Sequence, residues 1–223
     1  FLQKRTDMYN GDREYFQSRV PTYNIDFELI CPEGLIFSFH SINGLAEVQF
    51  DTLKDEKNYW SLSIDSLPAF EVEELAFVNS NLQSLVYKLS ENEFNGASDL
   101  ASYGSASKNY YSFVYKSPSK KDIKALKKFL KEIGINEQMD DEQKIRKFES
   151  YVKENFAILP YVQPAFAQIK SLIKNKASNA ATFTQFYANA FKLMDIKHRL
   201  VLTTDRSNIR FDKDFEAYNF LQS

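Results

Sequence analysis

Two kinds of side chain in this sequence could attack an acyl carbon, a thiol and a hydroxyl, and either would need an imidazole beside it. The thiol is Cys31 alone, in the first half of the chain. The hydroxyl of interest is Ser178, in the run Lys176-Ala177-Ser178-Asn179-Ala180-Ala181-Thr182-Phe183, where a helix is expected to open. A helix N-terminus favours a thiolate. At that turn, however, the sequence offers Asn179 and Ala180, an amide and a methyl that cannot attack carbon. Ser178 reads as a cap, with substitute nucleophile as the alternative, because Ser is a preferred N-cap and the leading N–H groups need partners. His198 and His40 are expected to be strand histidines, exposed or hydrogen-bonded, and neither is assigned as a base.

Other chemistry-bearing groups have plainer readings. Glu71, Glu73 and Glu74 form an acidic cluster that could hold a hard cation, but an acidic run beside a strand is usually solvated. Asp205, Asp212 and Asp214 lack the Gly and Glu spacing of a calcium loop. The chain has no Gly-rich phosphate loop, CxxC, HExxH or GxSxG, so neither a cofactor nor a metal is expected. Tyr59 and Trp60, with Tyr103, Tyr110, Tyr111 and Tyr115, could line a carbohydrate or peptide groove; core packing is the competing reading.

Composition narrows the classes. A net charge of −2 gives no overall field to recruit nucleic acid or an anionic membrane. Lysines crowd between Lys116 and Lys131, on a predicted helix whose apolar face makes them a solvated stripe. No apolar run approaches the ~18 residues of a membrane-spanning helix. One cysteine cannot form an internal disulfide, so it leaves the redox compartment open. Twenty Phe and 13 Tyr point first to half-buried strands. The sequence opens Phe1-Leu2-Gln3 and closes Phe220-Leu221-Gln222-Ser223; both ends are expected to be cuts within a longer protein.

The elements that must position these groups fall into two halves. Tyr23, Ile25, Phe27 and Leu29 alternate with polar residues, as in a strand with one wet face. Pro32-Glu33-Gly34 turns the chain into Leu35, Phe37 and Phe39, and Asn43-Gly44 is a hairpin signal leading to Ala46, Val48 and Phe50. A polar loop is expected over 51–57. Trp60, Leu62 and Ile64, then 72–78 and 85–89, are further strands, and 110–115 is a tyrosine-rich strand or an extended linker. Residues 90–109 read as a poorly ordered excursion. Many short strands between turns suggest an antiparallel sandwich or open barrel.

Ser117-Pro118 marks the change. Ser119 and Asp122 begin a helix carrying Ile123, Leu126, Phe129, Leu130 and Ile133, which Gly134 ends. A second helix starts near Asp140, a short one is expected over 165–175, and a largely apolar one, capped by Ser178 or Asn179, runs to Met194. Residues 197–203 are expected to be the strand after it.

This order resembles the papain-like transglutaminase fold, in which a Gly-x-Cys turn opens a buried helix that ends at a small turn, often Gly-Ile, before a strand. Here Asp195-Ile196 stands at the turn and Leu200-Val201-Leu202-Thr203 in the strand. The resemblance puts the family's cysteine at Asn179 or Ala180, and its catalytic His and Asp on later strands. The first half resembles the bacterial β-sandwich domain of unknown function that commonly precedes such domains, through 27–34, Asn43-Gly44, Leu67-Pro68-Ala69-Phe70-Glu71 and 85–89. That domain's first strands are expected to be missing, which places Phe1 inside it.

The resulting expectation is an α+β chain: a β-sandwich, possibly incomplete, over 1–117 and a C-terminally truncated transglutaminase-like domain over 118–223. The resemblance implies a non-catalytic scaffold or binding protein of the bacterial cell envelope, periplasmic or outer-surface, engaging a protein, peptide or glycan. Two alternatives stay open: an active cysteine-protease-like or acyl-transfer enzyme using residues outside this chain, and a carbohydrate-binding sandwich.

Overall fold

The computed structural model describes residues 11–54 and 56–222; expectations about Phe1 and Ser223 lie outside them. The elements run β1 (Asp12–Tyr15), β2 (Thr22–Pro32), β3 (Leu35–Ile42), β4 (Gln49–Lys54), β5 (Lys57–Leu67), α1 (Val78–Asn81), β6 (Ser84–Asn92) and α2 (Tyr103–Val114). They continue with α3 (Lys120–Glu132), α4 (Asp141–Asn155), β7 (Ala157–Ile158), α5 (Ile169–Asn175), β8 (Ala177–Ser178), α6 (Ala180–Leu193), β9 (Thr203–Thr204) and β10 (Leu221–Gln222). The fold is α+β, with antiparallel sheets, as the alternation and helical periodicity imply.

The described residues form two compact units, one reaching Ser107 and including Leu202–Gln222, the other covering Lys108–Val201. Residues 118–223, expected as one domain, are therefore shared between the units.

In the first unit two three-stranded antiparallel sheets, ordered β1-β6-β3 and β2-β5-β4, face one another. Ile25, Phe27 and Leu29 of β2 and Leu62 and Ile64 of β5 pack on Phe39 and Leu85 of the other sheet. The aromatic excess goes here. Phe27, Phe37, Phe39, Trp60 and Tyr87 meet at ring-centroid distances of 5.6–6.4 Å, in tilted or edge arrangements that suit their quadrupoles. Tyr23 leaves this face. Asn24 takes φ 52°, which breaks the pleat, and Tyr23 is 67% exposed.

The central strand β6 is buried on both sides: Leu85, Tyr87 and Leu89 face the sandwich, while Ser84 and Val86 face the opposite way. Asn43 and Gly44 do take positive φ, 59° and 81°. Their turn does not make a hairpin, however, because β3 pairs with β6 and β4 pairs with β5. The Asn43 amide instead donates to the carbonyls of Ser80 and Leu82. The polar stretch expected at 51–57 is largely the tail of β4 and the start of β5.

Three further expectations are corrected. Residues 72–78 form no strand: Val72, Leu75 and Phe77 are exposed, so the segment has no buried face to pair. The tyrosines of 110–115 lie mainly on α2, whose opening turn is held by the Ser105 N–H donating to Ser102 Oγ at 3.2 Å. Local capping and contacts here outweigh the β propensity of Tyr. Residues 90–109, expected as a loose excursion, hold the end of β6, a tight turn closed by two bonds between Asn92 and Ala97, and much of α2.

The second unit is a helical core around Phe129, Phe148 and Phe186, with Phe156 and Phe183 at its edge. Helices α3 and α4 start at side-chain caps. Ser119 Oγ accepts the Asp122 N–H, and Asp122 in turn accepts the Lys170 N–H at 2.8 Å, tying the start of α3 to that of α5. Asp140 and Gln143 form a reciprocal capping box on α4. Gly134 at φ 77° ends α3. The strand expected over 197–203 is reduced to Thr203–Thr204 of β9, in the first unit.

Candidate functional site

Helix α6 opens from a parallel pair of very short strands. The Ala157 N–H donates to the Lys176 carbonyl at 2.9 Å and the Leu159 N–H to the Ser178 carbonyl at 2.8 Å. Asn179 follows with extended backbone and caps the helix. Its Oδ1 accepts the Thr182 N–H at 2.9 Å and the Thr182 hydroxyl at 2.8 Å. Ala180 is exposed. Of the two caps the sequence offered, Ser178 and Asn179, the cap is Asn179.

Ser178 is completely buried, and its hydroxyl has no hydrogen-bond partner among the described residues. His198 belongs to the same unit. Its Nδ1 lies 2.9 Å from the Ile196 carbonyl, so that nitrogen carries the proton, and its ring sits against Tyr115 and Phe191. The remaining nitrogen, Nε2, is buried and also has no hydrogen-bond partner. No bond therefore joins Ser178 to His198. A hydroxyl without a base within reach stays protonated and weak.

Cys31 belongs to the other unit, in the sandwich core beside Leu35, Trp60 and Leu89. Its thiol donates to the Leu35 carbonyl at 3.2 Å, and burial pushes its pKa up to about 11. Both effects favour the inert thiol. The strands that follow α6 in the chain, β9 and β10, carry Thr203, Thr204, Leu221 and Gln222, with neither a histidine nor an acid.

Trp60 and Tyr59 make no shared platform. Trp60 is 7% exposed, packed on Phe37, Phe39 and Phe50 inside the sandwich. Tyr59 points to the other side of β5, where its hydroxyl donates to Glu28 at 2.5 Å. Glu71, Glu73 and Glu74 are all exposed, and among the described residues no group of three or more His, Cys, Asp or Glu is placed to hold a metal ion. No helix among them is long and apolar enough to cross a membrane.

One arrangement in the first unit has no counterpart in the sequence reading. The residues from Thr204 to Phe220 lie against the outer face of the β1-β6-β3 sheet and bound a cavity of about 490 Å³. In its wall His40 Nε2 lies 3.0 Å from Asp212 Oδ2, with the imidazole stacked on Phe215. Arg13 lines the same cavity. Nothing local marks these residues, because His40, Asp212 and Arg13 are brought together only by the return of the chain to this sheet.

No protein-family model and no curated protein matches this chain. A solved structure, that of a candidate protease from Parabacteroides distasonis, superposes with a TM-score of 0.65 at 15% identity. The match covers 98% of this chain and 41% of that one, so this chain spans less than half of the other's length. At this identity what the two share is the fold.

Proposed function

We propose that this chain is a non-catalytic binding or scaffold protein with a transglutaminase-like helical half, working in the bacterial cell envelope. One observation carries the reading: the first turn of α6 presents Asn179, whose side-chain oxygen is engaged by Thr182, where the chemistry would call for a thiolate. The sharing of a fold with a candidate protease fits such an origin. The burial of Cys31 and the lack of a base on Ser178 point the same way. The envelope location rests on the resemblance of the two halves to a bacterial sandwich and its companion domain.

The test is turnover. The chain is incubated with peptide substrates, and with a glutamine donor plus a primary amine. No hydrolysis or amine transfer is expected above a heat-denatured control. Turnover abolished by Ser178→Ala would replace this proposal with an enzyme that uses a serine.

A further inference from the structure

The charges around the cavity of the first unit do not balance. Arg13, Arg210 and Lys213 line it, against only Asp212 and Asp214. Asp212 is held by His40, and Asp214 is paired with Lys213 at 2.8 Å. Among the described residues the two guanidinium groups hydrogen-bond to neutral oxygens, Arg13 to Ser84 Oγ and the carbonyls of Asn208 and Asn79, Arg210 to Asn81 Oδ1, and Arg13 also lies over the Tyr15 ring at 4.5 Å.

Arg13 is the telling one. It is 8% exposed, and no carboxylate among the described residues forms an ion pair with it. Burial lowers its pKa, which registers the cost of keeping this charge away from water. Its three bonds latch β1 to Asn79 and Asn208, and that structural task uses three of the five guanidinium N–H groups. The task leaves the other two. Thr204 also lines the cavity, but its hydroxyl oxygen is enclosed, without a partner among the described residues, and turns no accessible surface to a ligand.

The remaining wall is flat and apolar. Phe215 is stacked on His40 and Phe211 on Tyr103, at centroid distances of 5.3 and 5.2 Å. The volume of about 490 Å³ is that of a small-molecule site. A planar anion would complete the guanidinium's hydrogen bonds in its preferred forked geometry, and the rings would cover an apolar body.

We infer that this cavity is a binding site for a small organic carboxylate with a flat apolar body, the carboxylate taken by Arg13 and Arg210 and the body by the aromatic wall. The site is separate from the turn of α6 and stands whether or not that turn is catalytic.

Titration calorimetry on the intact chain tests it, with 3-phenylpropanoate as probe and 3-phenylpropanamide and inorganic phosphate as comparators. The carboxylate is expected to bind once per chain, roughly tenfold or more tighter than either comparator, as a charge-assisted bond predicts. Arg13→Gln is expected to abolish binding. That variant also loses β1 anchors, so Arg210→Gln, which keeps those anchors, decides the matter should it not fold. It is expected to weaken binding by roughly three- to tenfold, with an unchanged circular dichroism spectrum. Equal affinity for the amide would remove the anion from the account, and equal affinity for phosphate would remove the aromatic wall. No heat up to roughly 10 mM probe, or binding indifferent to Arg210→Gln, would overturn the site itself.

Discussion

The side-chain oxygen of Asn179 accepts two hydrogen bonds from Thr182, at 2.9 Å from its backbone N–H and 2.8 Å from its hydroxyl. The amide therefore serves the helix. Replacing Asn179 with Ala removes the cap and is expected to cost about 1 kcal/mol, read as a lower urea midpoint at unchanged slope. Asn179→Asp keeps the acceptor and adds a charge that the helix N-terminus favours, so it should match or exceed the native stability. An unchanged midpoint for the alanine variant would show that the cap does not stabilise α6.

Cys31 supplies a prediction about pH. Its ordinary pKa near 9.0 is raised to about 11 by burial. Below about pH 9 the thiol is neutral in both folded and unfolded chains, and its stabilising contribution is complete. Above that pH the unfolded chain ionises first, so stability should fall between about 9 and 11. Cys31→Ala should flatten this part of the pH profile. A disulfide reagent at neutral pH should label the thiol only when the chain is unfolded. Rapid labelling of the folded protein would contradict the burial.

Phe186 is fully buried and touches Phe129, Phe148, Phe156 and Phe183. Phe186→Ala should therefore cost about 3–5 kcal/mol, the range for removing a core aromatic ring. Phe166 is 55% exposed. Its replacement by Ala should change stability by less than about 0.5 kcal/mol. Equal effects for the two in chemical denaturation would show that the ring cluster is not the core of this unit.

Gly134 closes α3 at φ 77°, with its N–H donating to the Lys131 carbonyl and the Ile135 N–H donating to the Leu130 carbonyl. A methyl group there would meet Lys147 Nζ at 2.9 Å, the mobile end of a long chain that can move aside. The backbone, and not the contact, sets the cost. Gly134→Ala should lose roughly 1–2 kcal/mol, and Gly134→Asn less, because Asn tolerates the left-handed conformation. Thermal melts of the two variants would separate these causes.

Much of the architecture was legible because it is local. The alternation of Ile25, Phe27 and Leu29 and of Trp60, Leu62 and Ile64 identifies β2 and β5, and Ser119, Asp140 and Gly134 mark helix ends by their own chemistry. What failed depended on partners distant in sequence. Asn43-Gly44 has the backbone of a hairpin turn, but partner choice sends β3 and β4 to different sheets. Tyr110 and Tyr111 favour strands in general and lie on α2 here.

The candidate site divides the same way. That no thiol stands at the Asn179 turn could be read directly, as a fact of sequence. Its cap stayed open between Ser178 and Asn179, since Ser and Asn are equally good caps and only the bond to Thr182 separates them. The meeting of Arg13, His40, Asp212 and Thr204 had no sequence signal, because it is made by the return of residues 202–222 to the sandwich.

Whether any nucleophile is available can be measured in one experiment. The folded chain is treated with serine- and cysteine-directed acylating and alkylating probes and weighed intact by mass spectrometry. The account predicts the unmodified mass throughout, with Cys31 labelled only after denaturation. A stoichiometric adduct on folded protein, mapped to Ser178 and lost in Ser178→Ala, would contradict it.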